Sequence, residues 1–273
     1  MHFPKEISLA GVDGLKPLLD TLYARYNRKE LIEPDPLQFV VRYHDPLDQE
    51  IVGLLAASLA YGRVGTIVKK CNEILSRLGP CPGAFVTGGS GLKKALSGFR
   101  HRFHTGEDCA VLLLNCRRLI LEHGSLGHAL KRDIQSQGGR FLAGLTRFVD
   151  QLNQGNGNPF IMPNPGRGSA CKRLFLYLRW MVRKDEVDPG CWHGMLNPSD
   201  LLFPLDAHLF SIGKALGFTL RSAPDLKAAG EITDGFKEIE PEDPVKYDFC
   251  LTRFGIHPRF TKEALFCLLR RFS

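Results

Sequence analysis

The chain has no sustained alternation of apolar and polar residues, and no apolar run long enough to cross a bilayer. The first absence argues against sheet-built architectures, because a half-buried strand repeats every second residue. The longest apolar run free of proline is Ile51 to Ala57, where a membrane helix needs ~20 residues. The opening segment, Met1 to Leu19, lacks the apolar core of a signal peptide, so a cytoplasmic location with no membrane partner is expected. Eight cysteines are present, yet none forms a CxxC pair, which excludes zinc-ribbon and thioredoxin-like motifs. They lie mostly among apolar helical residues, as reduced buried thiols do. Low-complexity tracts and internal repeats are also missing.

What remains is globular: 273 residues, 44% hydrophobic and 24% charged, enough for one large domain or two lobes sharing a core. The formal net charge of +7 favours a polyanionic partner. Helical periodicity runs almost throughout, so an all-α fold is expected. Residues 11–27 give a first amphipathic helix, broken by Glu33-Pro34-Asp35-Pro36 and followed by a short helix over 37–43. Asp45-Pro46 combines an N-capping carboxylate with proline at the first helical position and opens a helix to about Tyr61. Further helices are expected over 65–78, 107–123, 126–134, 139–152 and 225–236. Asp243-Pro244 repeats the capping device for a helix to Phe254, and 261–272 forms the last. Arg100-His101-Arg102-Phe103-His104 reads as a basic loop with an aromatic inside it, suited to phosphate contacts or simply solvated. Residues 153–159, rich in Asn and Gly, form the clearest linker. They divide a first lobe, 45–152, from a second made of 1–44 and 153–273.

The most informative stretch follows that linker. Pro165-Gly166-Arg167-Gly168-Ser169 is a Gly-rich turn that passes directly into a helix with apolar residues at Cys171, Leu174, Phe175, Leu178, Met181 and Val182. Lys172, Arg179 and Arg183 fall on another face and predict a basic strip. Asp206 opens a second helix, 207–216, that stops at Gly217. Spacing alone leaves two readings: a solvated lysine with a plain N-cap, or a catalytic pair on rigid supports.

The Gly-rich turn, the following Lys172 and the segment Pro204-Leu205-Asp206-Ala207-His208 resemble the helix-hairpin-helix DNA glycosylases. Two extra residues separate Gly168 from Lys172, and the 34 positions from Lys172 to Asp206 exceed the gap in endonuclease III. That longer gap is similar to the archaeal 8-oxoguanine glycosylase branch. The whole chain most resembles a bacterial family of unassigned function related to this superfamily, through CKRLFLYLRWMVR, PLDAH and DPVKYDF.

The resemblance implies a two-lobed glycosylase-like fold acting as a monomer on double-stranded DNA with a damaged base, 8-oxoguanine first. Lys172 would be the nucleophile, its neutral form favoured by Phe175, Arg173 and Arg179 nearby, and Asp206 the charge-stabilising carboxylate. Arg167, Gly168, Ser169, Arg179 and Arg183 would contact DNA. The turn Ala60-Tyr61-Gly62-Arg63 would enter the groove. Trp180, Trp192 and Phe160 are candidates for the base pocket. No cofactor or metal is needed, and with only Cys250 and Cys267 near the C-terminus no iron–sulfur cluster is expected. A non-catalytic nucleic-acid-binding helical module is the alternative.

Overall fold

The computed structural model describes residues 9–155, 157 and 161–269. Among them the regular structure is helical apart from one very short hairpin. The first helix, α1 (Leu9–Tyr26), is followed by the short α2 (Leu37–Val40), then α3 (Pro46–Ser58), α4 (Val64–Leu78), α5 (Pro82–Gly88) and α6 (Leu92–Ala95). Strands β1 (Arg100–His101) and β2 (His104–Thr105) pair antiparallel. Next come α7 (Gly106–His123), α8 (Leu126–Ser136), α9 (Phe141–Leu152) and α10 (Lys172–Val182). The chain continues through α11 (Ala207–Ala215), α12 (Leu226–Ile239), α13 (Asp248–Ile256) and α14 (Lys262–Leu269).

Several helix starts follow from capping chemistry legible in the sequence. Asp45 accepts from the backbone N–H groups of Leu47 and Asp48, with Pro46 behind it. Thr105 and Asp108 form a reciprocal capping box at α7. The expected cap at Asp243-Pro244 does not form: α13 begins at Asp248, because the Asp243 carboxylate is taken by the Arg183 guanidinium.

Helices α2, α5 and α7 gather on α3 and α7 carries the α8–α9 pair, while α1 packs on α12 and α13, and α11 on α12, α13 and α14. Helix α10 lies against α3. Gly53 permits that approach, since a Cβ there would sit 2.8 Å from Met181 Cε and 3.3 Å from Tyr177. Glu50, buried on α3, accepts from the N–H groups of Leu126 and Gly127 at the start of α8 and from the Trp192 indole. One carboxylate thereby ties α3, α8 and the loop after α10 together.

Candidate functional site

Cys171 sets the start of α10. It adopts the left-handed conformation, φ 47° and ψ 35°, which L-residues with a Cβ seldom take. This bend launches Lys172 as the first helical residue. Asp206 caps α11, accepting from His208 N–H and Leu209 N–H through Oδ1. Its other oxygen, Oδ2, lies 3.0 Å from Lys172 Nζ. The two side chains are partly exposed, 35% and 28%, so the pair is reachable by a ligand rather than sealed in the core.

Both residues line a cavity of about 560 Å³. Ala60, Tyr61, Gly62 and Arg63 wall it from the turn between α3 and α4; Leu176, Pro204 and Thr252 line it as well. Asp35 and Asp248 add carboxylates. Burial acts to raise the Asp206 carboxyl, but the Lys172 ammonium and the Leu209 N–H outweigh it and hold the group below its ordinary value. Asp248 goes the other way. Full burial raises it despite its contact with Arg179, and its Oδ1 has no hydrogen-bond partner among the described residues. The site therefore offers an ionised carboxylate, the Lys172 ammonium and a second buried acceptor in one cavity.

The sequence-predicted residues divide sharply. Lys172 and Asp206 meet, and Arg63 stands exposed at the same cavity. Arg167, Gly168 and Ser169 are exposed on the turn before α10, which is tied to α12 where Gly168 O accepts from Leu226 N–H. The basic strip does not exist. Arg179 and Arg183 are buried, at 1% and 3% exposure, because residues 174–182 of α10 are covered on every side. Arg179 pairs with Asp188 and Asp248; Arg183 pairs with Asp185, Asp188 and Asp243. Arg183 is sealed in the core; Arg179 reaches the cavity wall, but with Asp188 and Asp248 against it, it is no bare cation beside Lys172.

Trp180 and Trp192 are also core residues, at 0% and 2% exposure, and neither lines the cavity. Trp192 packs edge-on against Tyr177 and donates to Glu50. Phe160 lies outside the described residues. The aromatic wall belongs instead to Tyr61, whose ring carries the Arg173 guanidinium 5.0 Å from its centroid. Asp35 and Asp248 went unassigned in the sequence. Asp248 sits within DPVKYDF, but nothing in its spacing separates a cavity carboxylate from a helix-start residue.

Fold and site together define an α-helical protein with a lysine–aspartate pair at an open cavity. The chain belongs to a family described as a protein of unknown function (DUF2400), which matches residues 35–257 and so spans the cavity wall from Asp35 to Ile256. No curated protein and no solved structure matches the chain.

Proposed function

We propose that this protein is a DNA base-excision glycosylase with associated abasic-site lyase activity, on a two-lobed helix-hairpin-helix glycosylase-like fold. Oxidised purine, 8-oxoguanine first, is the substrate. The observation that carries the reading is the 3.0 Å approach of Lys172 Nζ to Asp206 Oδ2 at the cavity. The extruded nucleotide would place its sugar between these groups and its base against Tyr61 and Asp248.

Lys172, ion-paired with Asp206 at rest, first gives its ammonium proton to solvent as the nucleotide enters, and the neutral amine attacks the sugar C1′. The C1′–N bond breaks, and the departing base takes up the proton that the amine loses. Asp206, ionised and fixed by the α11 N–H groups, stabilises the oxocarbenium charge that develops before the new bond is complete. Ring opening gives a Schiff base. Removal of a 2′ proton then expels the 3′ phosphate and nicks the strand.

An ion-paired lysine at a cavity also suits a non-catalytic nucleic-acid-binding module, in which Lys172 contacts a phosphate. Incubation with a panel of lesion-bearing duplexes under borohydride separates the two. The enzyme leaves a covalent protein–DNA adduct on one or more lesions; the binding module leaves none on any.

A further inference from the structure

The cavity draws two of its walls from different segments: Tyr61 follows α3, and Lys172 opens α10. The residue next to Lys172 ties them together. Arg173 Nη1 donates to Ser58 O, at the end of α3, and to Ile161 O, both at 2.8 Å. Its guanidinium carbon lies 5.0 Å from the Tyr61 ring centroid. The Tyr61 hydroxyl is fixed in turn, donating to His101 O at 2.9 Å. Ser58 O belongs to the last turn of a helix, where carbonyls lack an intrahelical partner and a cation is favoured.

The start of α10 needs such a hold. Cys171 precedes it in the left-handed conformation, which persists only where neighbouring contacts impose it. No side chain caps the helix. The Lys172–Asp206 pair is partly exposed and parts when the amine attacks, so it cannot serve. Consecutive helical residues diverge by about 100°, and one turn thereby presents Lys172 to Asp206 and Arg173 to α3. Burial pulls the Arg173 guanidinium below its ordinary value, a cost that the two carbonyls and the ring offset. Gly53 seats the middle of α10 on α3 through Tyr177 and Met181; Arg173 fixes its beginning.

We propose that Arg173 is a positioning residue that sets the separation of the Tyr61 ring from the Lys172 amine, so that a nucleotide whose base lies on Tyr61 has its sugar carbon at Lys172. The inference rests on the glycosylase reading of the cavity. It makes Arg173 the link between holding a base and attacking its sugar. A nucleotide that has already lost its base makes no contact with Tyr61, so the separation matters less to it.

The test compares two substrates. Single-turnover excision is measured on the lesion duplex that gives an adduct, 8-oxoguanine first, beside borohydride trapping on a duplex with a preformed abasic site. Arg173→Met should lose about 100-fold in excision, the effect of a misplacement of ~1 Å, and less than about threefold in trapping, with the half-saturating duplex concentration unchanged. Arg173→Lys keeps a cation at the ring and donors for the carbonyls, and should recover about tenfold of that loss. Tyr61→Leu approaches the contact from the other side. It should show the same split, and adding Arg173→Met to it should cost little more. Should Arg173→Met fail to fold, Arg173→Lys and Tyr61→Leu carry the comparison. Equal losses on the two substrates, no loss on either, or a full second loss in the double variant overturn the positioning role. So does an unmutated protein that traps the abasic duplex yet excises no lesion, since no base then needs holding. An unmutated protein that forms no adduct at all removes the cavity reading itself, whereas an adduct and excision without the split remove Arg173 alone.

Discussion

Asp206 divides its two carboxylate oxygens between two tasks: Oδ1 caps α11 at 2.9 Å from two backbone N–H groups, and Oδ2 meets Lys172 Nζ at 3.0 Å. The helix cap fixes the carboxylate, and the carboxylate fixes the amine. Substitution can therefore separate structure from chemistry at one position.

Asp206→Asn retains an acceptor for the cap and removes the charge. Its unfolding free energy should fall by less than about 1 kcal/mol, whereas Asp206→Ala, which loses the cap too, should lose about 1 kcal/mol more. Base excision by Asp206→Asn should drop on the order of 100-fold, with nicking at a preformed abasic site reduced less. Urea unfolding and paired assays on lesion and abasic duplexes check this. Equal loss on both substrates would move Asp206 away from the oxocarbenium stage.

The acid behaviour of the pair follows from the direction of its shift. Asp206 is held below its ordinary value near 3.8, so the fold favours the ionised form. That stabilisation is present above the unfolded value and disappears as pH falls through the lower folded value. The stability gap between the unmutated protein and Asp206→Asn should stay constant from about pH 8 to about pH 5, and close below about pH 4. A gap that closes near neutrality would contradict the assignment.

Asp188 holds Arg179 and Arg183 together in the core, with 0% of its side chain exposed. Asp188→Ala leaves buried positive charge without its shared counter-ion and should cost about 3–5 kcal/mol. The denaturation midpoint reads this directly. A change within about 0.5 kcal/mol would mean that these arginines are solvated after all.

Arg63 is exposed at the cavity; on the proposed reading it contacts a phosphate. Arg63→Ala should weaken binding to all duplexes alike and lower the salt slope by about 1. An unchanged slope would remove it from the interface.

Helices announced by periodicity and caps were legible, as at Asp45-Pro46 and at Asp206, because those signals are local. The meeting of Lys172 with Asp206 was anticipated from motif order. The fate of Arg179 and Arg183 was not, since it depends on how the loop after α10 turns Asp185 and Asp188 back onto the helix and on Asp243 and Asp248 from far along the chain. A helical wheel shows which residues share a face; it cannot show that both faces are covered. The tryptophans misled for the same reason, because aromatic identity suits a base pocket and a core equally. The hairpin at Arg100–Thr105 escaped notice because two-residue strands have no period to detect.

The central claim is that the Lys172 amine attacks a sugar carbon. The direct test is borohydride trapping on an abasic duplex, followed by digestion and mass mapping of the adduct, with Lys172→Arg alongside. A guanidinium keeps the charge but stays protonated and is a very poor nucleophile. The account predicts an adduct on the peptide carrying Lys172, and none from Lys172→Arg although that variant still binds the duplex. An adduct of undiminished yield from Lys172→Arg, or one mapped to another lysine, would contradict it.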